Sequence, residues 1–210
     1  MASTAQRKDS GIASADALLN ATSALMTERN SVDVTFVDIA QRSGLNSALI
    51  RYHFGNKAGL FMALLERDAG GTFGNLDALV EADMPAPQKM RHHISGVIKT
   101  YYRYPYMNRL VGALSIDTDS ETARFIAERF TKPLAAAQKA ILEQGVREGA
   151  FRDVDPMLFY FSLIGACDHL FHARHSLKYA FGIDEITDEM RRGYADHITE
   201  LLMESILLHR

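Results

Sequence analysis

The sequence predicts an all-α protein, with a small N-terminal three-helix domain joined by a connecting helix to a larger helical domain. Three observations carry this. Apolar residues recur at the three- and four-residue spacing of one helical face through most of the 210 residues. No stretch alternates with the period of two that a half-buried strand requires. Proline and glycine gather at a few points between the periodic stretches, most clearly at Met84-Pro85-Ala86-Pro87. A composition of 47% hydrophobic and 23% charged residues is that of a globular chain able to bury a core.

Residues 1–8 are small and polar and end in Arg7-Lys8, so they are expected to be flexible. Ile12, Ala15, Leu18, Leu19, Thr22, Leu25 and Met26 then trace a helical stripe that ends before Asn30 and Ser31. Thr35 and Asp38 have the spacing of a capping box, which opens a second helix near Phe36. Gly44 ends it, because glycine enters the left-handed region without a Cβ penalty. Asn46 caps a third helix in which Leu45, Leu49 and Ile50 pin the inner side, leaving Ser47, Ala48, Arg51 and Tyr52 outside. Two short helices joined by a glycine turn form a helix-turn-helix, whose second helix is suited to enter the major groove of DNA. Small residues at its start allow close approach, and Arg51 presents a fork that fits guanine or phosphate oxygens. Tyr52, His53 and Lys57 add donors for phosphates, and Asn56 caps the next helix. Arg42, Arg51 and Lys57 face only Asp38 between residues 35 and 57, a basic footprint in a chain of net charge -3.

Thr35-Phe-Val-Asp-Ile-Ala40, Ser43-Gly44-Leu45 and Tyr52-His53-Phe54-Gly-Asn-Lys57-Ala-Gly-Leu60 resemble the DNA-binding signature of the TetR family of transcriptional regulators. The likeness spans about residues 10–65. It departs from the family at Arg51, where an aromatic residue is common, and at Asn30, where a glycine usually ends the first helix. The resemblance implies a DNA-binding regulator, here most simply a repressor. Thr35, Asn46, Ser47, Ala48, Arg51, Tyr52, His53 and Lys57 form its DNA contact surface, and double-stranded operator DNA is its partner. Residues 1–56 form the DNA-binding domain, and residues 57–210 a ligand-binding and dimerisation domain.

From Lys57 to about Val80 a connecting helix carries Leu60, Phe61, Leu64 and Leu65 inward, with weak points at Gly70, Gly71 and Gly74. After Pro87 one helix through Ile94, Val97, Ile98 and Tyr101 stops before Pro105, and a short one runs from Tyr106 to about Leu114. The cap-rich turn Asp117-Thr-Asp-Ser120 opens a long helix to Glu148, with a kink expected at Pro133. Asp155-Pro156 starts a helix to about Ser176, and Thr187 starts a last one through Leu208.

The helix from Asp155 is apolar on all sides, as a helix covered by a second copy would be. A homodimer is therefore expected, with Phe161, Gly165 and Ala166 meeting Ile198, Leu201 and Leu202. Tyr101, Tyr102, Met107, Phe125, Phe130, His169 and His172 are candidates for a pocket taking a small apolar or aromatic effector; ordinary core is the alternative reading of the same residues. Asp168, His172 and His175 share one helical face, but an ion pair along the helix and histidines at its negative end account for them, so no metal is expected. No cofactor motif, nucleophile motif or glycine-rich phosphate loop stands out, which argues against an enzyme. No apolar run is long enough for a membrane span, no signal peptide is legible, and the single Cys167 fits a reducing cytoplasm. A ligand-independent architectural DNA-binding protein and a helical interaction module remain as alternatives, but the larger domain exceeds what DNA binding needs.

Overall fold

The structure, a computed structural model, describes residues 2–208, with side chains for all of these except residues 2–10 and 71–75. The expectation of a flexible segment over residues 1–8 falls on residues whose side chains lie outside that set. Helix α1 (Ala2–Arg29) buries Leu18, Leu25 and Met26 against α2 (Phe36–Ser43) and α3 (Ala48–Phe54). The latter two contribute Ile39 and Ile50, both wholly buried, so three helices share one core. Helix α4 (Lys57–Glu81) packs on α1 and α3 and then on helices of the larger half, so it belongs to both halves. It continues as one α-helix through Gly70, where a Cβ would meet nothing within 4 Å, while Gly71 and Gly74 lie outside the residues with described side chains.

Helix α5 (Ala86–Arg103) is the axis of the larger half, burying Met90, Ile94, Val97, Ile98 and Tyr101 among its neighbours. The proline break before it is pinned to the end of α8 (Lys132–Arg147). The Ala86 amide donates to Glu148 Oε2 at 2.9 Å, and Gln144 Nε2 donates to the Met84 carbonyl at 3.0 Å. Lys89, only 3% exposed, donates to the Val80 carbonyl at 2.6 Å and to Gln144 Oε1 at 2.9 Å. A buried ammonium needs such acceptors, so its burial ties the end of α4 to α5 and to α8.

Three helices differ from the expected ones. The long helix before Glu148 is three segments: α7 (Glu121–Ile126), a π-helical turn (Ala127–Thr131) and α8. Pro133 lacks an N–H for the preceding turn, and the chain widens there. Helix α6 (Met107–Leu114) precedes them, as expected. Helix α9 (Pro156–His172) stops short of Ser176, and a separate α10 (Arg174–Phe181) follows. Ala173 breaks the run with ψ 41°, while the His172 carbonyl accepts from Asn30 at 2.8 Å, so a partner distant in sequence replaces the next helical turn. Helix α11 (Asp188–Glu204) ends before Leu208 because residues 206–208 pair antiparallel with residues 150–152. That bridge is held by Arg152 N to Ile206 O and Leu208 N to Ala150 O, each 2.9 Å. Phe151 folds back onto Gly145, where a Cβ would sit 1.9 Å from its ring.

Candidate DNA-reading head and effector cavity

The turn between α2 and α3 is fixed by its own side chains. Thr35 is extended (φ -98°, ψ 161°); its hydroxyl accepts from the Asp38 amide at 3.1 Å, and Asp38 accepts from the Thr35 amide at 2.8 Å. Arg29 also donates to Asp38 at 2.8 Å, and these hydrogen bonds, Arg29's foremost, hold the Asp38 carboxyl well below its usual pKa. Gly44 occupies the left-handed region at φ 70°, ψ 12°. Asn46 Oδ1 accepts from the Ala48 amide at 2.8 Å, and Ser47 already has helical angles (φ -58°, ψ -23°), so Asn46 performs the capping.

This frame sets which side chains reach outward. Ala48 and Arg51 are exposed and Tyr52 is 80% exposed, while Ser47 is half-buried. The Arg51 side chain has no hydrogen-bond or ion-pair partner among the described residues. His53 is half-buried instead: its Nε2 lies 2.7 Å from Ser14 Oγ of α1, and its ring meets Tyr52 edge-on at 4.9 Å. It positions Tyr52 and anchors α3. Thr35 is likewise occupied as a cap. The basic footprint is narrower than the sequence suggests, because Arg42 is paired with Glu28 on α1. Arg51 and Lys57 remain, the latter exposed and 3.9 Å from Asp33. Asn56 caps α4 through the Gly59 amide at 2.9 Å. Gly59 has no room for a side chain, since a Cβ there would lie 2.1 Å from the Phe54 carbonyl oxygen.

Two polar networks join this head to the regulatory half, and no local pattern in the sequence signals either. The carbonyls at the end of α1 lack helical donors and carry the negative end of its dipole. They receive guanidinium groups: Arg174 donates to Thr27 O at 3.0 Å, and Arg109 of α6 grips Asn30, which sits at the left-handed φ of 49°. In the second network the fully buried Tyr106 hydroxyl donates to Asp68 of α4 and lies 2.8 Å from Ser23 Oγ of α1. Arg67 completes it, donating to Asp68 at 2.7 Å and to Asn20 of α1 at 2.8 Å.

A cavity of about 470 Å³ in the regulatory half lies between α4, α5 and α8, walled by Leu76, Leu79, His93, Val97 and Leu134. The residues expected to line a pocket do not line it. Tyr101, Met107 and Phe130 are buried in the core, where their apolar surface binds helices together and leaves no space. Phe125 is 42% exposed, His169 is exposed, and Tyr102 borders a smaller cavity of about 330 Å³ beside Phe171. His172 Nδ1 lies 3.1 Å from Asp168, which also accepts from Asn108 at 3.0 Å. The described residues hold no group of three potential metal ligands. His93, deep in the cavity wall, lies 3.0 Å from Gln138, and burial lowers its pKa to about 4.

The expected dimer residues divide. Phe161 (67% exposed) and Leu201 (56%) stand in solvent with Met157, Leu158 and Gly165. Ala166 is half-buried, its carbonyl accepting from Tyr194. Ile198 and Leu202, each 5% exposed, are core residues: α11 packs chiefly on α5, which takes that face. Among the described residues no helix is long and apolar enough to cross a membrane.

Two family models match the chain. One, of bacterial regulatory proteins of the tetR family, covers residues 18–64; the other, a tetracyclin repressor-like C-terminal domain, covers residues 83–210. A curated relative, the HTH-type transcriptional repressor NicS of Pseudomonas putida, is 21% identical over 164 residues, 77% of either chain. Among solved structures, a tetR-family regulatory protein from Rhodococcus RHA1 superposes with a TM-score of 0.73 at 14% identity, covering 94% of this chain and 98% of that one. AibR, solved with isovaleryl coenzyme A and operator DNA, gives 0.69 at 19% identity over 90% and 98% of the two chains.

Proposed function

We propose, since this chain belongs to the TetR family of bacterial regulatory proteins, that it is a transcriptional repressor binding operator DNA through α3 and answering to a small molecule held between α4, α5 and α8. The observation that carries the reading is the outward face of α3. A capped, glycine-turned helix pair presents an unpaired Arg51 beside the exposed Tyr52, with Lys57 at the start of the next helix. Arg51 would read a base edge or grip a phosphate, and Lys57 would hold the backbone. The apolar face of Met157, Leu158, Phe161 and Leu201 supports a homodimer, because such a surface costs free energy while wet. Cavity volume and apolar walls suit a small ligand, as the coenzyme A thioester in AibR is a ligand of that relative. A repressor of this kind acts in the cytoplasm, where the DNA is, and performs no catalysis.

Release follows from geometry. Two reading heads on one duplex face must stand about 34–36 Å apart, one helical repeat. Helix α4 lines the cavity with Leu76 and Leu79 and meets the reading head at its first turn, so a ligand that tilts α4 changes that separation. Selection of duplexes from a random pool with the purified protein tests the reading. One enriched, two-fold symmetric sequence with half-sites a helical turn apart is expected; a pool without enrichment would overturn it.

A further inference from the structure

The charge lining the effector cavity is one-sided. His92, Gly96, Lys99 and Arg103 follow one another at helical spacing along α5, so one face of that helix borders the space. Lys99 and Arg103 are exposed, and neither has an acidic partner among the described residues. The only carboxylate in the wall among the described residues, Asp68, is already committed to Arg67 and to the Tyr106 hydroxyl. His93 contributes no positive charge near neutral pH, since burial keeps it uncharged. Leu76 and Leu79 of α4, Leu134 of α8 and Val97, beside the stripe on α5, give the cavity an apolar floor.

The cavity does not end at Arg103. Arg67, Asp68, Arg103 and Tyr104 also border an open groove of about 640 Å³ whose far wall is Asp16, Asn20, Ser23 and Ala24 of α1, with the exposed Asp16 carboxylate as the one acid facing Arg103 across it among the described residues. An occupant whose polar end reaches Arg103 therefore lies against a helix of the DNA-binding domain.

We propose that the effector is an anionic amphiphile: its apolar body rests on Leu76, Leu79, Val97 and Leu134, and its acidic head is held by Lys99 on the cavity wall and by Arg103, where the cavity opens onto α1. The inference rests on the reading of this cavity as the effector site. It assigns Lys99 and Arg103 the choice of effector class, because two cations without ion-pair partners beside an apolar floor favour an acid over an alcohol or ammonium of equal length. It also gives the ligand a direct route to the reading head, beside the route through α4. Gly96 keeps the mouth open: a Cβ there would meet nothing within 4 Å, so a larger residue fills space without straining the fold.

Calorimetric titration of the full-length protein with decanoate, 1-decanol and decyltrimethylammonium tests this. Decanoate is expected to bind at least about tenfold more tightly than the other two, a difference of about 1.4 kcal/mol. The Lys99→Gln/Arg103→Gln double variant should bind decanoate no better than decanol, and Gly96→Leu should weaken all three probes. Equal affinities, a preference for the ammonium, undiminished decanoate binding in either variant, or no binding of any probe would overturn the proposal. Binding of the selected operator is measured in parallel on the same preparations. Intact operator binding with the wrong probe preference refutes the effector class alone, whereas decanoate binding without any operator binding refutes the repressor reading.

Discussion

Arg109 of α6 donates to the side-chain oxygen of Asn30 at 2.7 Å and also to its backbone carbonyl, while Asn30 donates to the carbonyl of His172 at 2.8 Å. One residue at the end of α1 is thereby bonded to two helices of the regulatory half. The family's usual glycine would satisfy the left-handed backbone, but only a side chain such as asparagine supplies the bonds as well. Asn30→Gly should cost about 1–2 kcal/mol through the missing hydrogen bonds, and Asn30→Ala more, because alanine adds backbone strain at φ 49°. Urea denaturation of both variants checks the order. If the latch transmits the effector's signal, the ratio of operator affinities without and with effector also falls towards one in Asn30→Gly.

Gly59→Ala and Gly96→Ala should move stability in opposite directions, although both glycines are helical. The first places a Cβ 2.1 Å from the Phe54 carbonyl oxygen and must push α3 off the start of α4, costing about 1–3 kcal/mol. The second enters open space and gains up to about 1 kcal/mol of helix propensity. Thermal unfolding distinguishes them, and Gly59→Ala should also weaken operator binding.

His93 gives stability a pH dependence. Its pKa is about 4 in the folded protein, against an ordinary value of 6.5, so the unfolded chain binds the proton first on acidification. Stability is then full above about pH 6.5, falls as pH drops towards 4, and declines no further from this group below that. The whole effect is on the order of 3 kcal/mol. Urea midpoints from pH 7 to pH 4.5 should fall less steeply in His93→Gln, which keeps an amide to meet Gln138; equal slopes would remove His93 as the cause.

Phe161→Arg places a charge on the exposed apolar face of α9, where the side chain is 67% exposed and nothing in the chain's own core is disturbed. Light scattering should show the unaltered protein as a dimer and the variant as a monomer of unchanged helix content. A variant that stays dimeric places the interface elsewhere.

Local signals are legible in the sequence because neighbouring residues carry them. Thr35, Asp38, Gly44, Asn46 and Asn56 form the caps and turn that their spacing announces. Periodicity likewise finds the buried faces of α1, α4 and α5. It does not distinguish a residue facing a cavity from one facing another side chain, which is why Tyr101 and Phe130 turn out to be core while Leu76 and Leu134 border the space. Nor does it say which element covers which: Ile198 and Leu202 have the pattern of an interface and are used by α5. Pairings distant in sequence are the hardest to read. Asn30 with His172 ends α9 early, and Ser14 with His53 turns a candidate phosphate donor inward.

Reading of DNA by Arg51, with Lys57 holding the backbone, is tested most directly by titrating the selected operator at a series of salt concentrations. The unaltered protein, Arg51→Ala and Lys57→Ala are compared. Lys57→Ala should weaken every duplex alike and reduce the salt slope by about one. Arg51→Ala should cost roughly 1–3 kcal/mol on the operator and relax the preference for it over a scrambled duplex if it touches a base. Unchanged affinity, slope and preference in both variants would contradict the assignment of α3 as the reading helix.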